Sequence, residues 1–220
     1  MKDIAIYGAG GFGREVLALI KDINKVQPTW NFIGFFDDGR NIGDTINGFS
    51  VLGNIESLNN WETPLSVVVA IGTPRVKQVV VDRICNDKVD FPTIIHPSVI
   101  IGDSDFVSIG KGCIICAANI LTTNIEIKDF VIINLACTIG HDTVINDYAA
   151  FMPSCNVSGE VVIEKGVYCG TGVKIINQVS IGEYSIIGAG AVVAKNQPGH
   201  ATIVGVPAKV IKTNPLTSYV

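Results

Sequence analysis

From Ile109 to Lys195 an apolar residue returns at every sixth position: Ile109, Ile115, Leu121, Ile127, Ile133, Ile139, Ile145, Phe151, Val157, Ile163, Cys169, Ile175, Ile181, Ile187 and Val193. Four residues after most of them stands a small or apolar residue, among them Cys113, Val131, Cys137, Ala149, Val161, Val173 and Ala191. A period of six fits neither a helix nor a flat strand; it is a hexapeptide repeat. One hexad supplies a short strand and a corner, three close a coil of 18 residues, and stacked coils bury the repeated residue inside a prism. A single coil cannot bury that face alone. The spacing predicts a parallel β-helix of about five coils, preceded by a hexad at Ile101-Gly102 that is displaced by two residues from Ile109. The period sets no hand. Outward apolar residues such as Ile114, Ile120, Ile132, Val144 and Ile186 call for cover, by trimerisation or by capping elements. Open ends need caps too: the N-terminal half is expected over one, and the tail after Lys195, with Pro198-Gly199 and Gly205-Val206-Pro207-Ala208-Lys209, over the other.

The first ninety residues follow a different pattern. Lys2 to Tyr7 reads as a buried strand running into Gly8-Ala9-Gly10-Gly11-Phe12-Gly13, and Val16, Leu17, Ile20 and Ile23 mark one face of the helix that follows. A second strand, Asn31 to Phe36, ends in Asp37-Asp38, with Asp37 lying 24 residues beyond Gly13. A glycine turn that admits phosphate to a helix N-terminus, with an acid to meet a ribose hydroxyl, has this layout. The same glycines also serve a plain tight strand-to-helix turn. Ser66 to Ile71 reads as a third strand, Gly72-Thr73-Pro74 turns into a helix through about Asn86, and Phe91-Pro92-Thr93-Ile94 leads out. Only one mononucleotide-sized half is present, which suits a grip on the nucleotide part of a substrate better than hydride transfer. The division expected is 1–94 for a Rossmann-like nucleotide-binding half domain and 95–220 for the β-helix with its C-terminal cap.

With 220 residues, two modest domains are within reach. A net charge of −4 and the lack of a dense Lys/Arg block speak against nucleic acid as a partner. No secretory-type segment opens the sequence and no apolar run approaches the roughly 18 residues of a membrane span, so a cytoplasmic protein without a membrane partner is expected. Six cysteines, several at buried phases of the repeat, read as free thiols. Cys113 and Cys116 have a two-residue spacing, but Cys113 points inward and Cys116 outward, and no second pair supports a metal site.

Of three histidines, His96 at the domain joint and His200 in Pro198-Gly199-His200 read as structural or solvated. His141 occupies an outward corner in Ile139-Gly140-His141-Asp142-Thr143, with a carboxylate beside it to orient a general base. Coil arithmetic stacks it against Gly159, 18 residues on and one rung of about 4.8 Å away, where a backbone N–H can hold the oxygen of a tetrahedral intermediate. Asn134, one hexad earlier, can hydrogen-bond the nucleophile or fix the imidazole.

The glycine turn with Asp37-Asp38, Ile95-His96-Pro97-Ser98, Gly140-His141-Asp142 and Gly205-Val206-Pro207-Ala208-Lys209 together resemble the sugar O-acyltransferases of the sialic-acid O-acetyltransferase type. That family includes bacterial N-acetyltransferases of nucleotide-linked 4-amino-4,6-dideoxy sugars, and the likeness runs from Lys2 to about Lys212. It implies a left-handed β-helix, a homotrimer, acetyl-CoA in the groove between subunits and a nucleotide-sugar on the N-terminal domain, without a metal. Residue by residue it implies His141 as base, Asn134 and Asp142 beside it, and Gly159 as donor to the thioester carbonyl. Gly188, Ala189, Lys195, Gly205, Pro207 and Lys209 would line the CoA path; Gly8, Ala9, Gly10, Gly11, Asp37, Asp38 and Gly72 would take the nucleotide. Phe12 and Ala150 stand where some relatives place histidines. The expected reaction is direct N-acetylation; O-acetylation of a sialic acid or related sugar, and non-catalytic nucleotide-sugar binding, are the alternatives.

Overall fold

A computed structural model of the chain describes residues 1–213. The last seven residues of the segment expected over 95–220 lie outside them.

The N-terminal half is a six-stranded sheet. β1 (Lys2–Tyr7) is central, with β2 (Trp30–Phe36) and β5 (Leu65–Val69) parallel on either side. Outside β2 lies a hairpin of β3 (Thr45–Ile46) and β4 (Phe49–Gly53), and outside β5 lies β6 (Val89–Asp90). α1 (Gly11–Val26) and α3 (Pro74–Arg83) follow β1 and β5, and α2 (Ile55–Asn59) follows β4. The hairpin extends the expected three-strand core. α3 stops three residues short of Asn86, whose side-chain amide donates to the carbonyls of Leu58 and Trp61 and draws the chain off the helical path.

From Ile94 the chain winds as a left-handed parallel β-helix with three faces. The first face holds Ile94–Ile95, Ile114–Ile115, Ile132–Ile133, Ala150–Phe151, Tyr168–Cys169 and Ile186–Ile187. The second runs from Ile100–Ile101 through Thr138–Ile139 to Val192–Val193, and the third from Val107–Ile109 through Val144–Ile145 to Ser180–Ile181. Neighbouring rungs pair in register 18 residues apart, as Ile127 with Ile145 and Ile139 with Val157. The first coil is two residues longer, Ile101 pairing with Leu121, because a turn of 3-10 helix at Ser104–Phe106 is inserted in it. The repeat residues from Ile115 to Val193 form one buried interior cluster. Asn119 is buried there as well, and its amide donates to the carbonyls of Cys116 and Ile133 and accepts from the Cys137 N–H, so burial leaves none of these groups unpaired.

The sheet half sits along a side of the prism. It was expected over an end; instead α1 lies on the first face, where Val16, Leu17 and Ile20 form one buried cluster with Ile94, Ile114, Cys116, Ile132 and Ala150. Ile114 and Ile132, outward by phase, are therefore 0% exposed, and Cys116 is buried with them. Full burial of such a side chain is worth about 1.5–3 kcal/mol, whereas the exposed ion pairs nearby are worth at most about 1 kcal/mol, so apolar contact holds the two halves together. Ile120 and Ile186 remain exposed and Val144 half-buried. At the far end the tail returns as Ala201–Val204 and Lys209–Thr213, an antiparallel pair extending the first face, and Ala208 packs on the interior while its N–H donates to Val192.

α3 runs along the corner between the third and first faces. Phe130, Tyr148, Gly166 and Tyr184 repeat there every 18 residues with φ of 57, 62, 66 and 52°. Phe130 and Tyr148 stack with centroids 5.3 Å apart. Lys77, fully buried, donates its ammonium to the Phe130 carbonyl, and burial pulls its pKa down to about 7. An unfolded lysine titrates near ~10.4, so the unfolded chain holds more protons between these values and stability rises with pH across that window. The thermal midpoint of the wild-type protein should accordingly climb relative to Lys77→Met between pH 7 and 9 and run parallel to it below pH 6, read by circular dichroism.

Candidate active site

His141 and Asp142 stand at the corner between the second and third faces, where the chain leaves Thr138–Ile139. Asp142 adopts a left-handed backbone, φ 57°, a conformation that Asp tolerates better than most residues. Its carboxylate turns back on its neighbour: Asp142 Oδ2 lies 2.7 Å from His141 Nδ1. A carboxylate can only accept, so Nδ1 carries the hydrogen and the Nε2 lone pair is left as the basic one. Asp142 Oδ1 accepts from the Asn124 amide at 3.1 Å. These hydrogen bonds, from His141 first and Asn124 second, hold the Asp142 carboxyl below the usual carboxylate range. The imidazole is more than half exposed, open to a reactant.

Gly159 lies against that ring. A Cβ built on it would come within 2.5 Å of His141 Cε1 and Nε2, so only a glycine lets the imidazole rest on the next rung. The same holds one rung back, where a Cβ on Gly140 would meet the Gly159 nitrogen at 2.7 Å. The rungs are tied by Glu160 N–H donating to the His141 carbonyl and Gln178 N–H to that of Gly159. Lys195 falls in the same corner column three coils after His141, about 14 Å along the prism axis. Asn134 is at the preceding corner, buried, its Oδ1 accepting from the Leu135 N–H at 2.7 Å; the imidazole is oriented by Asp142 instead.

Gly188 and Ala189 occupy the corner between the first and second faces. Gly205, at φ 99°, opens the tail segment with Pro207 and Lys209, all three exposed.

The expected nucleotide residues gather at the carboxyl edge of the sheet. Gly8 has φ 107°, and a Cβ on Gly13 would meet the Gly8 carbonyl oxygen at 1.9 Å, so both glycines are required by the turn itself. Gly10 and Gly72 have open space where a side chain would be, and a Cβ on Gly11 would touch only the Arg14 side chain, at 4.0 Å. Asp37 uses its carboxylate on the turn, accepting from the N–H groups of Ala9 at 2.7 Å and Gly39 at 2.8 Å. Asp38 accepts from the Ile55 N–H at 2.9 Å and pairs with Arg83 at 3.3 Å. Asp38, Thr73, Arg75 and Arg83 then line a pocket of ≈ 610 Å³ whose opposite wall is Gly166, Tyr168, Tyr184 and Ile186 of the β-helix. Phe12 and Ala150 belong to the apolar contact between α1 and the first face, together with Tyr168 and Met152, so packing occupies both positions.

Sequence reasoning missed Asn124, Arg75 and Tyr184. Asn124 was within reach, being one coil before Asp142; Arg75 and Tyr184 meet across the domain joint, which no local pattern reveals.

Burial pushes the Cys113 thiol up to about 11 and the Cys116 thiol up to about 12, so both stay protonated near neutrality. Among the described residues, no group of three or more His, Cys, Asp and Glu is placed to hold a metal ion, and no helix is long and apolar enough to cross a membrane.

Residues 3–84 match the family model of the PglD N-terminal domain. The GDP-perosamine N-acetyltransferase of Escherichia coli O157:H7 is 34% identical over 96% of both chains. Among solved structures, the acetyltransferase domain of PglB from Neisseria gonorrhoeae in complex with acetyl coenzyme A is 30% identical with a TM-score of 0.86, covering 96% of this chain and 99% of that one. PerB from Caulobacter crescentus, in complex with CoA and GDP-perosamine, is 26% identical with a TM-score of 0.87, over 96% and 98% of the two chains.

Two substitutions separate the parts of this corner. Asn124→Ala should lower kcat by about 3- to 10-fold with KM for acetyl-CoA unchanged, since it loosens only the carboxylate that orients the His141 imidazole. Gly159→Ala should displace the imidazole and lower kcat by at least about 100-fold, measured by thiol release from acetyl-CoA.

Proposed function

The chain belongs to the hexapeptide-repeat sugar N-acetyltransferases, and on that premise we propose that it acetylates the amine of a nucleotide-linked 4-amino-4,6-dideoxy sugar. It is an acetyl-CoA-dependent acyltransferase. The observation that carries the mechanism is the His141–Asp142 pair resting on Gly159. His141 Nε2 takes a proton from the neutral amine as its lone pair attacks the thioester carbonyl. Asp142 stabilises the imidazolium that forms, and Asn124 keeps that carboxylate aligned. The Gly159 N–H receives the negative charge of the tetrahedral oxygen. Collapse of that intermediate forms the amide and expels the CoA thiolate, which the imidazolium proton neutralises.

Binding follows the topology. The glycine turn, Asp37, Asp38 and Gly72 mark the carboxyl edge of the sheet as the nucleotide's place, with the ≈ 610 Å³ pocket beside it. That pocket opens at the corner between the third and first faces, whereas His141 is at the corner between the second and third. A homotrimer resolves the separation: a second copy brings its nucleotide edge to this chain's His141. Ile120 and Ile176, exposed at 40% and 41%, are apolar surface that such packing covers. The CoA then runs past the late coils, where Gly188, Ala189, Lys195, Gly205, Pro207 and Lys209 lie. Asn134 belongs to the acceptor side of the same groove.

With GDP-perosamine and acetyl-CoA, His141→Ala should lower kcat by 10²- to 10⁴-fold, the usual worth of a positioned general base, while sedimentation still shows a trimer. Turnover within about threefold of wild type would remove His141 from the mechanism. Acetylation of sialic acid in place of amino sugars would replace N- by O-transfer.

A further inference from the structure

Outside the His141 corner, the most heavily tied set of side chains is the one that closes the pocket between α3 and the late coils. Arg75 is the second residue of α3, directly after Pro74, and reaches across the domain joint. Its guanidinium carbon lies 4.1 Å from the centroid of the Tyr184 ring. Its Nη2 is 3.1 Å from His200 Nδ1. A guanidinium has only hydrogens to give, so His200 Nδ1 accepts and its hydrogen resides on Nε2. That Nε2 lies 3.1 Å from Glu183 Oε1, which accepts it. The His200 ring is also stacked on Tyr184, with centroids 5.7 Å apart at 20°, and the Tyr184 hydroxyl donates to Gln78 Oε1 of α3 at 2.7 Å. Five contacts from two domains thus fix the plane of one cation in a pocket whose lining also includes Val76, Val79 and Ile186.

We propose that Arg75 grips the diphosphate of the nucleotide-linked substrate, and that His200 and Glu183 are positioning residues that hold its guanidinium in the plane this requires. The inference rests on the nucleotide-sugar reading above. A planar guanidinium matches pairs of phosphate oxygens in a way that a lysine does not, and a side chain already held in place loses little freedom when the ligand arrives. The pocket wall shared with Asp38 and Thr73 places the cation at the carboxyl edge of the sheet, and Asp38 directly follows the Asp37 that accepts from the Ala9 N–H of the glycine turn. His200, which reads from sequence as a structural or solvated residue, thereby gains a part in substrate binding without touching substrate.

The test is titration calorimetry of the full-length protein with GDP, UDP, guanosine and uridine. Arg75→Met should weaken the better-bound diphosphate at least 10-fold and its nucleoside less than 2-fold, with acetyl-CoA binding unchanged. His200→Phe keeps the stack on Tyr184 but not the acceptor, and should weaken the diphosphate 3- to 10-fold; His200→Gln, which restores an acceptor, should recover to within 2-fold of wild type. Equal diphosphate binding by Arg75→Met and wild type, or equal loss for nucleoside and diphosphate, would overturn the grip. Wild-type affinity in His200→Phe would overturn the relay. A wild-type protein that binds neither GDP nor UDP would overturn the nucleotide-sugar reading itself and this inference with it.

Discussion

The spacing of the His141 corner descends from one constraint, the burial of an apolar residue at each sixth position inside the prism. A coil that gained or lost a single residue would turn its apolar side chains out of the interior cluster, and the longer first coil keeps Ile101 and Ile109 packed on it by confining its two extra residues to the turn around Ser104–Phe106. The pairing therefore stays at 18 residues through five coils, and side chains that share a corner phase are stacked one rung apart. His141 over Gly159 and Asn124 beneath Asp142 are two readings of that one ruler. The tolerance is small, because at the His141 corner a single methyl group on either of two glycines would collide with the neighbouring rung.

The second constraint is the seat of the N-terminal half on the first face. Covering Ile114 and Ile132 removes apolar surface that the repeat alone leaves facing water, and it brings α3 to the aromatic corner of Phe130, Tyr148 and Tyr184. A pocket arises there, lined by residues of both parts. The same docking buries a lysine whose ammonium is satisfied by a single carbonyl, so the joint is sensitive to pH as well as to apolar contact. The glycine turn and its Asp37 are held rigid by their own hydrogen bonds, leaving Gly10 and Gly11 as the open part of the loop.

Much of this was legible before any coordinates. The prism, its displaced first hexad, the strand–turn–helix at Gly8 to Gly13 and the stacking of His141 on Gly159 follow from local spacing, because stacked coils translate spacing directly into proximity. What escaped was tertiary. The period assigns Ile114 and Ile132 an outward phase and says nothing of which element will cover it, so the sheet half was expected at an end and is found on a side. His200 read as a loop residue because its partners, Arg75 and Glu183, lie 125 and 17 positions away. Of the two roles its position offered Asn134, fixing the imidazole falls to Asp142, because the Asn134 Oδ1 accepts from the next backbone N–H at the preceding corner.

The central claim is that one rung of the prism holds both the base and the oxyanion donor while a neighbouring copy supplies the nucleotide edge. A crystal structure of the His141→Asn protein with GDP-perosamine and acetyl-CoA measures this directly. The sugar amine is expected within hydrogen-bonding reach of residue 141, the thioester oxygen within reach of the Gly159 nitrogen, and the diphosphate on the adjoining subunit's glycine turn. A nucleotide-sugar bound with its amine away from the corner of residues 141 and 159, in a complex that turns over with wild-type protein, would contradict it.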